Sequence, residues 1–403
     1  MTTFALTRPI ALPQISGTVT ASADVGIGAG GTPGTFIRLG TVTLAEHADA
    51  DRTASVEGKA AMDARLLGAS ALTDFCGATI WRGHYALPIG GGHAGTYDDG
   101  FYAQNLTTGA WSTVVGVNDY AGVSEYTDEH GEWTDDPGNV RPASQHSYSH
   151  VVAVGNDIIQ GHGGAVGSGT GDPGVNIANS RQAHRYNFGS SGWERYGDLA
   201  AGSTGSQWFV HYDATRSRLV RMRLNANSAQ LDTITSTNSG ASWSQLTIDS
   251  GGLTTLDIGA DVGYHAGLDC YVRFGATGSV LTMDAANLTA GWTSSTTSGD
   301  EPPITANTGL AYCPPKACMV AADIAAPLRL YYLTPTGART AAWVWSYEDF
   351  TAGDGSSTQS WNTSGGNAAG VGVHTRVQWS SALSGLVLLK HATKYTEVFY
   401  PTV

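Results

Sequence analysis

Short runs in which apolar residues recur at every second position dominate this chain. Examples are Arg218-Leu-Val-Arg-Met-Arg-Leu, Cys270-Tyr-Val-Arg-Phe, Ala317-Cys-Met-Val-Ala and Leu328-Arg-Leu-Tyr-Tyr-Leu. A period of two places alternate side chains on opposite faces of an extended strand, so each run predicts a short β-strand. Clusters of Gly, Ser, Thr, Asn and Asp separate the runs and predict tight turns. One stretch departs from this pattern. Residues 44–68 are rich in Ala with interspersed Glu, Asp, Lys and Arg, and predict a helix.

The strands fall into a repeat. Trp193, Trp243, Trp292 and Trp343 lie 50, 49 and 51 residues apart, and they and Trp111 each follow a turn of small residues. A second set of aromatics, Trp81, Tyr212, Tyr264, Tyr312 and Trp379, marks the end of a first strand in each unit. Four of these precede a Trp of the first set, by 30, 31, 28 and 31 residues. A fixed period of this size in strand-forming sequence predicts a β-propeller. The expectation is an all-β fold of six blades, with seven as the alternative, each a four-stranded antiparallel meander whose Trp opens the outermost strand. Both aromatic sets are expected to pack between neighbouring blades.

Trp111 and Trp193 are 82 residues apart, so blades one and two must carry insertions. Residues 117–140 hold seven acidic side chains, and residues 164–180 form a Gly-rich stretch. Such insertions in a repeat scaffold usually decorate one face, the face that binds. The last unit contains only three predicted strands: one around Trp379, a second over Gly385–Lys390 and a third from Tyr395. The amino-terminal segment is the spare piece of chain, and Thr35-Phe-Ile-Arg-Leu is its strongest strand signal, with residues 4–12 as the alternative. Pairing there would remove an exposed sheet edge. The expected organisation is residues 1–67 as arm, closing strand and short helix, and 68–403 as propeller.

The run Pro88-Ile-Gly-Gly-Gly-His93, followed by Phe101-Tyr102 and Trp111, resembles the double-glycine, aromatic, Trp order of kelch repeats. Gly161-His-Gly-Gly164, with Tyr186 and Trp193, repeats it. The later units lack the glycine pair. The overall texture is similar to kelch-like proteins of tailed bacteriophages. One turn, Ser236-Thr-Asn238-Ser-Gly240-Ala-Ser-Trp243, is similar to the Asp-box of sialidase-type propellers with Asn in place of Asp. That box is a structural hairpin, and a sialidase's Arg set, Tyr nucleophile and acid/base carboxylate do not emerge from equivalent positions here.

Composition narrows the function. The formal charge is −13, and only four of the 21 basic residues are Lys. No cationic run offers a stripe for nucleic acid. The cluster Arg216, Arg218, Arg221, Arg223 is the nearest approach, and its spacing predicts several of these side chains on one solvated sheet face. No apolar stretch reaches membrane-spanning length, and the amino terminus lacks a secretory leader pattern. Cys76, Cys270, Cys313 and Cys318 are too few and scattered for a disulfide scaffold, and are expected as buried thiols, with Cys313 and Cys318 facing each other across a hairpin.

The densest polar constellation lies in blades one and two. As candidate ligand-binding residues it comprises His93, Tyr97, Asp98 and Asp99 in the first, and His146, Tyr148, His150 and His162 in the second, with His84 nearby. His and Tyr together could also act as base and acid in a polysaccharide lyase, with Arg82 or Arg141 neutralising a sugar carboxylate. No catalytic residue is assigned. No cofactor is expected; Asp98 and Asp99, or Asp128, Glu129, Glu132, Asp135 and Asp136, are the alternative as Ca²⁺ ligands, although neither stretch alternates as calcium loops do. The expected function is a non-catalytic virion tail, fibre or spike propeller. It would contact other virion proteins through the amino-terminal arm, bind cell-surface polysaccharide and assemble as a homo-oligomer. A polysaccharide lyase or glycoside hydrolase is the alternative, and an intracellular kelch-type adaptor a third reading.

Overall fold

The structure, a computed structural model, describes residues 31–53, 72–73, 76–88, 100–116, 140, 142, 149–161, 182–198, 208–223, 228–233, 243–247, 262–274, 278–302, 308–322, 328–353 and 373–403. The chain enters through β1 (Thr35–Leu39) and α1 (Leu44–Thr53). Thr43 and Glu46 start that helix with a capping box. The Thr43 Oγ1 accepts from the Glu46 N–H at 3.2 Å, and the Glu46 carboxylate accepts from the Thr43 N–H at 2.8 Å. The helix runs ten residues; the remainder of the predicted helix, 54–68, lies outside the described residues.

Antiparallel meanders follow. The first sheet is β2 (Thr79–Trp81), β3 (His84–Leu87), β4 (Phe101–Asn105) and β5 (Trp111–Val115). The second is β6 (Val151–Val154), β7 (Asp157–Gln160), β8 (Gln182–Asn187) and β9 (Gly192–Asp198), and the third β10 (Trp208–Asp213), β11 (Arg218–Arg223), β12 (Ser228–Thr233) and β13 (Ser244–Thr247). Next come β14 (Val262–His265), β15 (Cys270–Phe274), β16 (Ser279–Asp284) and β17 (Trp292–Gly299). These are followed by β18 (Gly309–Cys313), β19 (Cys318–Ala322), β20 (Arg329–Pro335) and β21 (Trp343–Asp349). Those two meanders join edge to edge, because β17 and β21 pair in parallel from Thr297↔Trp343 to Gly299↔Trp345. The short β22 (Thr351–Ala352) leads to β23 (Val377–Ser380), β24 (Gly385–Leu388) and β25 (Thr396–Tyr400).

The last meander has three strands of its own, as its sequence predicts. Its fourth is β1, antiparallel to β25 in the register Thr35↔Tyr400 to Leu39↔Thr396. Phe36 stacks on Phe399 with ring centroids 5.5 Å apart, and both are fully buried. The sequence expectation that Thr35-Phe-Ile-Arg-Leu supplies the strand missing from the last unit agrees with this pairing, which joins segments about 360 residues apart.

The predicted markers occupy their predicted places. Trp111, Trp292 and Trp343 open β5, β17 and β21, Trp193 is the second residue of β9, and Trp243 immediately precedes β13. Each apolar cluster bridges two consecutive sheets. Trp81, Phe101 and Tyr186 join the first to the second, with the Trp81 and Phe101 rings 5.4 Å apart. Trp243 packs with Ile159 and Val210, Trp292 with Phe209 and Val220, and Trp343 with Val272 and Leu310. Phe36, Val320 and Val377 join the fifth meander to the last. A further cluster containing Leu39, Tyr85, Trp111 and Val398 joins the last meander to the first.

At that junction Gly40 and Gly109 pass with their backbones in contact. Both have positive φ, +82° and +71°, and a Cβ on Gly40 would stand 2.2 Å from the Gly109 carbonyl oxygen. The Gln104 amide donates to the Leu39 and Gly109 carbonyls at 2.7 and 2.9 Å, so the close approach is also hydrogen-bonded. The inner strands meet as well: the Tyr85 hydroxyl donates to the Arg376 carbonyl at 2.7 Å, and the Ala78 N–H to the Thr375 hydroxyl at 3.2 Å.

Cys313 and Cys318 are directly opposite in the β18–β19 ladder, and all four cysteines are buried, with none in a disulfide. No helix among the described residues is long and apolar enough to cross a membrane.

Candidate functional site

In a meander, the entry to the first strand, the second-to-third connection and the exit of the fourth strand all lie at one end of the sheet. The two kelch-like runs and the two insertions fall in such segments. In sequence, His93, Tyr97, Asp98 and Asp99 stand between β3 and β4, His146 and Tyr148 before β6, and His162 after β7. These seven candidates lie outside the described residues, as do Arg141 and the acidic loop assigned to Ca²⁺. Among the described residues no group of three or more His, Cys, Asp or Glu could hold a metal ion.

His150 is the candidate the structure places. It is fully buried at the entry to β6. Its Nδ1 lies 3.3 Å from the Gly161 carbonyl, and the Gly161 N–H donates to the His150 carbonyl at 2.9 Å. These contacts extend the β6–β7 ladder beyond Val151↔Gln160. The preceding residue, Ser149, accepts from the Val210 N–H at 2.9 Å, which ties this end of the second sheet to the third.

His84 and Arg82 do not join it. They sit at the β2–β3 turn, the opposite end of the sheet, where Arg82 adopts φ +50°. The Arg82 guanidinium donates to the Asn156 side chain at 2.8 Å and lies 3.5 Å over the Phe188 ring, while the His84 Nδ1 is 2.9 Å from the Arg82 carbonyl. Trp81 donates to the Asn156 carbonyl at 2.7 Å, so the two hairpin turns abut. Arg82 thus fastens one sheet to the next and is remote from His150, which removes it as a partner for catalysis there.

The arginine cluster also differs from its predicted solvated face. Arg216 and Arg218 both bind the buried Asp213 carboxylate at 3.0 Å, and Arg216 also pairs with Asp269 of the next sheet. That pairing, reinforced by the Tyr264 hydroxyl at 2.7 Å, holds the Asp269 carboxyl below its usual range. Arg221 is fully buried. Alternation puts Arg218 and Arg221 on opposite faces of β11, and spacing alone could not tell that neighbouring sheets cover both faces.

Sequence reading took Arg221 for a solvated residue and passed over Gln160 and Arg273, yet these three make the loop end of their sheets polar inside. Counting from the hairpin turn, the fourth pair of the inner two strands is Val151↔Gln160 in the second sheet, Val210↔Arg221 in the third and Val262↔Arg273 in the next. The same position is Ala321 opposite Leu310, and Leu388 opposite Val377, in the last two meanders. The signal was present: a lone cation in Leu219-Val-Arg221-Met and in Tyr271-Val-Arg273-Phe, amid otherwise apolar strand residues. Gln160, Arg221 and Arg273 are 0, 0 and 2% exposed. Arg221 lies against Gly161, where a Cβ would be 3.6 Å from its Nε. Burial alone brings the Arg273 guanidinium down to about 10.

At the same end of the last meander, Lys390 and Glu397 form a fully buried ion pair at 2.7 Å. The adjacent His391 is buried, with its Nδ1 2.9 Å from the Thr393 hydroxyl. Desolvation first, then the positive charges of Arg376 and Lys394, lower its pKa to about 4. A histidine whose folded value lies below its unfolded one binds its proton more tightly when unfolded. Its stabilising effect is therefore complete above about pH 6.5 and is lost as the pH falls toward 4, by up to about 3 kcal/mol. Urea midpoints measured from pH 7.5 to 4 are expected to fall more steeply in the wild type than in His391→Gln.

No protein-family model matches the chain, and no curated protein matches its sequence. Several solved structures match the chain at low identity and low structural overlap. YjhT is 10% identical, with 81% of this chain and 93% of that one covered and a TM-score of 0.42. The major allergen Mala s 1 of Malassezia sympodialis is 10% identical, over 82% and 92% of the two chains, with a TM-score of 0.44. The periplasmic gluconolactonase PpgL of Pseudomonas aeruginosa is 12% identical, over 69% and 86%, with a TM-score of 0.37.

Proposed function

We propose that the meanders are the blades of a six-bladed kelch-type propeller, closed by β1, which lies between β25 and the short β22 in the last blade. We further propose that it is a non-catalytic component of a tailed-phage particle whose loop-bearing end binds cell-surface glycan or a neighbouring virion protein. The observation that carries the binding reading is the set of polar side chains buried at that end, Gln160, Arg221 and Arg273, at a position that other blades fill with Ala or Leu. Ring closure is supported by the β1–β25 ladder and by the contacts of Gly40 and Tyr85 between the last and first sheets. The virion assignment draws on the resemblance of the two glycine-rich repeats and of the chain's texture.

A non-catalytic role is favoured over hydrolysis or elimination because His150 is buried and hydrogen-bonded to backbone, with Arg82 held at the other end of the sheet. The test is to titrate the protein with bacterial surface polysaccharides by calorimetry while assaying for unsaturated or new reducing ends. Saturable binding without product is expected. Turnover that disappears in His93→Ala or His150→Ala would establish an enzyme instead. Mass spectrometry of purified particles is expected to find the chain, and its absence there would refute the virion role.

A further inference from the structure

In three consecutive sheets a long polar side chain occupies the fourth pair of the inner hairpin, always opposite a valine: Gln160, Arg221 and Arg273. The fold does not require polarity there, since Ala321 and Leu388 serve the equivalent position elsewhere. Burying such groups is costly unless their hydrogen-bonding capacity is met. For two of them it is not met among the described residues. Neither the Nε2 nor the Oε1 of Gln160 has a hydrogen-bond partner, and the Nε of Arg273 has none. No carboxylate among the described residues pairs with Arg273, in contrast to Arg216 and Arg218 on the neighbouring hairpin, which share Asp213.

Arg273 shares its strand face with Tyr271 and Val262, which pack against Phe209 and Met222 of the preceding sheet. Among the described residues the guanidinium is thereby flanked by apolar side chains between two sheets, and no anion pairs with it. Arginine stays charged in such a place and presents a planar fork of donors suited to a carboxylate. The chain's own charge of −13 opposes multiply charged anions such as phosphate esters, whereas a single carboxylate adds one charge.

We propose that the loop end of these three sheets is a carboxylate site, with Arg273 as its principal donor and Gln160 and Arg221 beside the same end, and that its ligand is an acidic sugar of the uronate type. The inference rests on the glycan-binding reading above and specifies the ligand class of that site.

The test uses the full chain with glucuronate- and galacturonate-containing oligosaccharides and their carboxyl-reduced counterparts, titrated by calorimetry. The acidic forms are expected to bind at least tenfold more tightly than the reduced ones, and Arg273→Met is expected to erase that difference. Its melting temperature should be unchanged or higher, because a buried charge with no carboxylate partner among the described residues has been removed. Equal binding of acidic and reduced forms by the wild type would overturn the carboxylate site and leave the glycan reading standing. Binding of neither form would overturn the uronate site, and the titration with bacterial surface polysaccharides decides the glycan reading separately. A lower melting temperature in Arg273→Met with acidic selectivity intact would make Arg273 a structural strut and overturn the proposal. The wild-type comparison decides the question even if the variant does not fold.

Discussion

A chain lacking residues 1–40 is expected to fail as a folded monomer, giving aggregated protein or one with no cooperative melting transition. The deletion strips β25 of its outer neighbour and exposes the whole Thr396–Tyr400 edge, which β1 covers in the register Thr35↔Tyr400 to Leu39↔Thr396. An unpaired strand edge is a template for association with other chains. The deletion also removes Phe36 and Leu39, both fully buried. One large core side chain costs about 3–5 kcal/mol when truncated, and a domain's whole stability is about 5–15 kcal/mol. Phe36→Ala, which keeps the ladder and loses the ring against Phe399, provides the graded version. It should unfold at clearly lower urea while remaining monomeric. Size-exclusion chromatography with thermal and urea denaturation checks both. A deletion that melts like the intact chain would show that β1 does not hold the sheet.

Glu397→Ala is expected to be the most damaging single substitution among the polar residues, at about 3–5 kcal/mol. Glu397 and Lys390 sit 2.7 Å apart with 0 and 1% of their side chains exposed. Removing the carboxylate strands an ammonium in a site where burial already lowers the lysine's pKa and Glu397 is the main influence raising it. The double variant Lys390→Met with Glu397→Leu should regain most of the loss, since apolar residues of similar volume often replace buried ion pairs without penalty. Urea denaturation of both single variants and the double completes a thermodynamic cycle. Additive losses would mean that the two groups act separately, contrary to the geometry.

The meander pattern of this protein was legible because its causes are local. Alternation along 218–223 and 270–274, turn residues between strands, and tryptophans at intervals of 49 to 51 residues each express what a few neighbouring residues do, and the strands occur where they indicate. The Thr43–Glu46 capping box belongs to the same class. The candidate site was legible only in part. Of its eight residues the structure describes His150, and it shows the one imidazole turned into the ladder toward Gly161.

What the tertiary structure alone decided are matters of which surface covers which. Period-two reading put several of Arg216, Arg218, Arg221 and Arg223 on one solvated face; sheet stacking buries Arg221, and the next hairpin supplies Asp269 to Arg216. Likewise, counting strands in the last unit pointed to Thr35–Leu39 as its missing partner, but the register Thr35↔Tyr400 to Leu39↔Thr396 is set only when the distant ends of the chain meet. Lys390 and Glu397 are only seven positions apart, yet nothing in their spacing shows that both will lie in the dry interior. Extended backbone and turns follow from short-range sterics and periodicity, whereas the value of a charge depends on the dielectric and the partners that other segments bring to it.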